Sequence, residues 1–170
     1  MANRFILNET SYFGAGAREN LVPELTGRGL KKVMFVTDKV LLECGVATKV
    51  TAELDKAGIA YEIYSDVKAN PTVANVQTGV AKFKEMGADS LVAVGGGSVM
   101  DTAKAVGIII ANLDFADVVS LEGVADTKNK SVPLIALPTT SGTAAEVTIN
   151  YVITDEANKK KMVCVDPKDI

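Results

Sequence analysis

Val92-Ala93-Val94-Gly95-Gly96-Gly97-Ser98-Val99-Met100-Asp101-Thr102-Ala103-Lys104 reads as a buried strand, a glycine elbow and the first turn of a helix. Glycine loses more backbone freedom on folding than any other residue, so three in a row are costly inside a strand or helix. They suit a place where the backbone turns sharply and another molecule comes close to its N–H groups. A helix starting at Ser98 would aim unpaired N–H donors and the positive end of its dipole at that space. Such a place suits a phosphate. A nucleotide-pyrophosphate site is therefore expected here, and the rest of the chain has to say which nucleotide.

Apolar runs alternate with helical patterns on both sides of the elbow. Strands are expected at Phe5–Leu7, with Tyr12-Phe13-Gly14 continuing that pairing, and at Val33–Val36, Ile59–Tyr64, Leu91–Val94 and Val132–Leu137. The last is read as buried. Helices are expected over Ala17–Arg28, Val46–Lys56, Val73–Glu85 and Val99–Ile110, where apolar residues recur every three or four positions and glycines mark several ends. Val147–Thr154 and Lys161–Val165 read as a β-hairpin, and Glu122–Ser131 as a surface loop. Strands alternating with helices of this length indicate an α/β fold, a parallel-sheet, Rossmann-like dinucleotide-binding domain over residues 1–170. Ligands of such sheets lie outside the carboxyl ends of the strands. That points to Asp38, Asp66–Pro71, Gly95–Ser98 and Pro138–Thr143.

Asp38, at the tip of an early strand, suits the ribose hydroxyls of an adenosine and repels a 2′-phosphate; it equally suits the N-cap of a short following helix. The elbow is not the GxGxxG fingerprint, and it follows the acidic strand tip instead of preceding it. Ser98 and Asp101 form an S-x-x-D pattern, so Asp101 is either a helix cap or a ligand contact. Leu137-Pro138-Thr139-Thr140-Ser141-Gly142-Thr143-Ala144-Ala145-Glu146 offers hydroxyls and free N–H groups directly after another strand. Two such loops can converge on one ligand. Lys159, Lys160 and Lys161 read as a solvated hairpin tip from which one ammonium can approach a phosphate.

Composition narrows the chemistry. A formal charge of −3 over 170 residues, without a basic stripe, argues against a nucleic-acid partner. No apolar run approaches the roughly 20 residues that span a bilayer, and no signal peptide is legible at the start. Cys44 and Cys164 form no CxxC pattern and read as buried hydrophobes in a cytoplasmic protein. The sequence contains no histidine, so neither a Ser-His-Asp system nor a His-rich zinc or iron site can be built from it.

The segments GGGSVMDTAK at 95–104, LPTTSGTAAEVT at 137–148, TDK at 37–39 and the Asn70-Pro71 turn together resemble the iron-dependent (group III) alcohol dehydrogenase family. The runs Thr148–Glu156 and Asn3–Thr10 resemble a branch acting on short-chain aldehydes and diols more than they do glycerol dehydrogenase-like relatives. The resemblance implies an NAD-binding domain in which Asp38 holds the adenine ribose and Asn70 lies near the cofactor. Gly96, Gly97 and Ser98 would cradle the pyrophosphate, with Asp101 beside them. Thr139, Thr140 and Thr143 would contact phosphate and nicotinamide ribose, with Asn150 and Lys161 nearby. It also implies a homodimer, and NAD(H) and a small alcohol or aldehyde as partners. Family members continue into an all-helical domain that supplies Asp and His ligands to a divalent metal, iron or zinc. That domain is absent here, so catalytic turnover is not expected of this chain alone. The alternatives are a non-catalytic nucleotide-binding module and a glycerol dehydrogenase-like relative.

Overall fold

The computed structural model describes residues 8–169, so the strand expected at Phe5–Leu7 lies outside the described residues. Four parallel strands form the central sheet: β1 (Lys32–Val36), β2 (Ala60–Tyr64), β3 (Ser90–Gly95) and, after an intervening two-residue strand β4 (Gly123–Val124), β5 (Leu134–Pro138). Their order is β2-β1-β3-β5, with Val33 paired to Tyr61 on one side and to Ser90 on the other. Alternation along β1 sorts side chains to two faces. Val33 and Phe35 join Val92 and Val94 beneath α1 (Leu21–Gly27) and α3 (Val46–Ala57). Met34, Val36, Leu91 and Ala93 face α4 (Val73–Met86) and α5 (Gly97–Ala111). A short α2 (Lys39–Glu43) fills the connection after β1.

α5 is buried on nearly every side, from Val99 to Ile109. A helix apolar all round needs cover on both flanks. The sheet supplies one; the other comes from α4 and from an antiparallel pair, β6 (Asn150–Asp155) and β7 (Lys160–Val165). The hairpin ladder begins at Asn150 and not at Val147, and just upstream of it the Thr148 carbonyl is taken by the Lys104 ammonium. The loop expected over Glu122–Ser131 includes β4, which pairs in parallel with β7.

Three further expectations need correction. The first helix is split: residues Ala17–Asn20 form a 3-10 turn and the α-helix starts at Leu21. Pro23 explains this, since its missing N–H is harmless in a first turn and would break a hydrogen bond deeper in a helix. Tyr12-Phe13-Gly14 forms no strand; Phe13 is 90% exposed, and the Tyr12 hydroxyl donates to Glu24 at 2.6 Å. Among the described residues β5 is an edge strand of the sheet, half-buried and not enclosed. The opposite edge, β2, carries Glu62 between Lys32 (3.7 Å) and Lys82 (3.0 Å), charges that discourage further strand pairing. β5 offers Leu134-Ile135-Ala136-Leu137 and no charge.

Gly58 and Gly87 close α3 and α4 at φ 66° and 63°, the left-handed conformation for which glycine is favoured. α4 opens with a capping box. The Thr72 hydroxyl accepts the Asn75 N–H at 3.2 Å, while the Asn75 side chain accepts the Thr72 N–H at 3.3 Å. Among the described residues no helix is long and apolar enough to cross a membrane.

Candidate functional site

In this strand order the chain leaves β1 toward β2 on one side and returns to β3 on the other. The β1–β3 seam is therefore the switch point at which open parallel sheets accommodate ligands. The Thr37 hydroxyl donates to the Val94 carbonyl at 2.8 Å and locks the two strand ends together. A cleft of about 800 Å³ opens above this seam. Asp38 and the start of α2 form one wall, Ser65–Ala69 a second, and Gly96–Val99 with Thr139 and Thr140 a third.

The elbow works through missing volume. None of Gly95, Gly96 and Gly97 has a positive φ, so their sequence does not serve a left-handed turn. A Cβ on Gly95 would sit 2.5 Å from Val99 Cγ2. One on Gly96 would meet Thr140 Oγ1 at 3.0 Å, and one on Gly97 would meet Thr143 Oγ1 at 3.2 Å. The glycines thus let the hydroxyl-rich loop lie directly over the elbow. α5 starts at Gly97, one residue before the expected start, with Gly96 as an N-cap that contributes no side chain. Val99 and Met100 donate to the Gly96 carbonyl, whereas the N–H groups of Gly97 and Ser98 have no acceptor among the described residues. Those two donors and the helix dipole face the cleft, a donor set that fits an anion.

Asn70 and Lys161 reach this cradle by a chain of contacts. The Asn70 N–H donates to Ser98 Oγ at 3.4 Å, and the Lys161 ammonium donates to Asn70 Oδ1 at 2.7 Å. Asn70 takes φ 57°, a conformation asparagine tolerates better than most residues. Lys160, by contrast, turns away to pair with Glu122 at 2.6 Å. Thr139 donates its N–H to the Gly95 carbonyl at 3.0 Å, and Thr140 and Thr143 are exposed beside it.

Asp38 caps α2 by accepting the Leu41 N–H at 2.9 Å through one carboxylate oxygen, and it lines the cleft as well. The capping role is thus realised by a side chain that also stands on the cleft wall. Asp101 does not cap α5. Its carboxylate accepts the Val152 N–H at 3.1 Å and fastens β6 to the helix. Burial pushes its pKa up to about 6, against the opposing pull of that N–H and of Lys104. Asn150 is not gathered at the elbow. It opens β6 four residues before Thr154, the partner of Lys161, which is roughly 13 Å along a strand. Its side chain is exposed and its carbonyl accepts from Lys104 at 3.2 Å.

Val67 and Lys68 line the cleft from within the expected Asp66–Pro71 stretch, and Val40, Leu41 and Ser65 also line it without having been singled out from sequence. Their signal was position alone, just past the ends of β1 and β2. Cys44 is exposed and only Cys164 is buried, so one of the two expected buried thiols is on the surface. Among the described residues no three His, Cys, Asp or Glu side chains gather as a metal-ligand group.

The sequence pattern of the family "Iron-containing alcohol dehydrogenase" matches residues 8–170. Lactaldehyde reductase of Escherichia coli K12 is 58% identical over all 170 residues, which span 44% of that enzyme's length. A crystal structure of 1,3-propanediol oxidoreductase superposes with a TM-score of 0.94 at 33% identity, covering 100% of this chain and 44% of that one. Sulfoacetaldehyde reductase of Bifidobacterium kashiwanohense, solved in complex with NAD+, gives 0.84 at 29% identity, covering 100% and 44%. The chain thus spans less than half the length of these relatives and corresponds to their N-terminal portion.

Proposed function

The chain belongs to the iron-containing alcohol dehydrogenase family, and on that premise we propose that it is the part of such an enzyme that holds NAD(H). Whole proteins of this kind would move a hydride between the cofactor and a short-chain alcohol, diol or aldehyde, as the name lactaldehyde reductase implies for the E. coli relative. The observation that carries the reading is the pair of unaccepted N–H groups on Gly97 and Ser98, set in the β1–β3 crevice opposite the Asp38 carboxylate.

The nicotinamide supplies a carbon that accepts or releases hydride; the chain's own residues hold and orient it. Asp38 would take the adenosine ribose hydroxyls with the carboxylate oxygen left over from capping α2, and its charge would disfavour a 2′-phosphate. Gly96, Gly97 and Ser98 would hold the pyrophosphate. Thr139, Thr140 and Thr143 would close over it, with Asn70 and Lys161 at the rim. Asn150 would lie farther along, toward the nicotinamide end, and Asp101 would act through β6 without touching the cofactor.

A divalent metal does not fit the donors present, because the sequence lacks histidine and no ligand group forms among the described residues. By this reading the chain would bind cofactor without turning over alcohol. In the proposed whole protein the metal ligands come from the portion of the relatives that this chain does not span. Homodimeric assembly and a cytoplasmic setting belong to the same proposal.

The sequence has no tryptophan, so NADH emission can be titrated without an indole background. Saturable enhancement with NADH, and at least tenfold weaker binding of NADPH, is expected. No saturable binding of NADH would overturn the reading.

A further inference from the structure

Lys104 is withdrawn from water, with only 2% of its surface exposed, in a position where methionine would fill the same volume. A buried ammonium is costly unless its donors are engaged, so what it engages is informative. It donates to the carbonyls of Thr148 and, at 3.2 Å, Asn150, and it lies 3.7 Å from the equally buried Asp169 carboxylate. One helical turn earlier, Asp101 takes the Val152 N–H. Two side chains of opposite charge on one face of α5 therefore grip the donors and acceptors of the β6 backbone.

The grip matters for the loop that precedes it. The stretch Thr139–Val147 carries the Thr140 and Thr143 hydroxyls that lie over the elbow. Among the described residues its hydrogen bonds are few: Thr139 N–H to the Gly95 carbonyl at entry, and an internal turn from Val147 to Ala144. The next tie downstream is Lys104 on Thr148. The loop is tied by hydrogen bonds at its two ends, with Ala145 packed into the core between them, and Lys104 supplies the second tie.

We infer that Lys104 is a positioning residue for the nucleotide site, fixing the Thr139–Val147 loop over the glycine elbow by holding the Thr148 and Asn150 carbonyls. The inference rests on the nucleotide reading above for its consequence, though not for its geometry.

The test is the double variant Lys104→Met/Asp169→Asn, which removes both members of the buried Lys104–Asp169 pair and strands neither. Amide hydrogen exchange without nucleotide should accelerate at least tenfold across residues 143–152 and stay unchanged in β1 and β3. NADH affinity should fall about tenfold. AMP, which ends at the adenosine side of the elbow, should bind within twofold of the unaltered chain. Unchanged exchange in 143–152 overturns the inference, as does equal loss of AMP and NADH, which marks general damage. If the unaltered chain binds no NADH, the nucleotide reading fails, and the exchange experiment alone decides the role of Lys104. Should the double variant not fold by circular dichroism, Lys104→Gln retains one donor group and is read by the same exchange measurement. Partial acceleration supports the inference and none overturns it. Lys104→Arg, which keeps charge and donors, should restore slow exchange.

Discussion

Gly95 and Gly97 lie two residues apart in one glycine run, yet the structure assigns them separable duties, and alanine at each position tells them apart. At Gly95 the added methyl would lie 2.5 Å from Val99 Cγ2 and 2.7 Å from Val99 Cβ. Val99 is buried and β-branched within a helix, which leaves it one favoured rotamer and nowhere to retreat. The start of α5 must then shift, an overpacking that costs about 1–3 kcal/mol. For a chain of this size each kcal/mol lowers the melting temperature by roughly 2–4 °C, so Gly95→Ala should melt about 2–12 °C lower. At Gly97 the methyl meets Thr143 Oγ1 at 3.2 Å and Cγ2 at 3.4 Å. Thr143 is exposed on a loop and can give way. Gly97 already has helical geometry, so alanine there regains some of the roughly 0.5–1 kcal/mol that glycine forfeits. Gly97→Ala should therefore melt at or slightly above the unaltered chain. Its methyl would still crowd the two bare N–H groups, and NADH should bind at least about tenfold more weakly, which is about 1.4 kcal/mol. Differential scanning fluorimetry and NADH titration on both variants suffice. A Gly95→Ala chain as stable as its parent, or a Gly97→Ala chain with full affinity, would refute the assignment.

Asp38→Asn keeps an oxygen for the Leu41 N–H and removes the charge, so titrations should show the NADH–NADPH gap narrowing with little change in melting. Thr72→Ala removes the cap of α4, worth about 0.5–2 kcal/mol, and thermal denaturation should drop by a few degrees. The third expectation concerns pH. Burial raises Asp101 to about 6 and Asp169 to about 7, the latter despite Lys104 nearby, because neither Asp169 oxygen has a hydrogen-bond donor. Carboxyls raised in the folded state favour folding when protonated. Their contribution is complete below about pH 4, the unfolded value, and is lost as pH rises through 6 to 7. The urea midpoint should therefore be higher at pH 5 than at pH 8, and Asp169→Asn should flatten much of that slope.

The sheet and its helices were legible because each of β1, β2 and β3 is bounded by glycine or turn residues, α1, α3 and α4 keep one apolar face, and α5 is apolar on nearly every side. The edge position of β5 was not legible. An apolar run looks the same whether its second neighbour is present or not, and only β2 announces its edge with a charge at Glu62. Tyr12-Phe13-Gly14 misled through the strand preference of aromatic residues, which carries little weight without a partner strand. At the site, the glycine elbow and the hydroxyl loop lie together; a sharp turn and the approach of another molecule were expected of the glycines, and the structure shows no left-handed turn but a close approach by the Thr140 and Thr143 side chains. Asp101 illustrates a different limit. Its spacing from Ser98 mimics a cap, and only the distant Val152 N–H reveals its partner. Asn70 and Lys161 stand 91 residues apart and meet at 2.7 Å. No local pattern announces that pairing: Asn70 was legible from its place past the end of β2 and Lys161 from a lysine-rich hairpin tip, each without reference to the other.

The knot between Thr37 and Val94 joins positions 57 residues apart, and the two lips of the cleft stand immediately beyond it. No binding surface exists on a nascent chain until β3 has docked against β1, past the whole of β2 and α4. Any coenzyme able to stabilise this protein therefore acts after that non-local pairing has formed. It can lengthen the life of the finished sheet, but it cannot template the sheet's making.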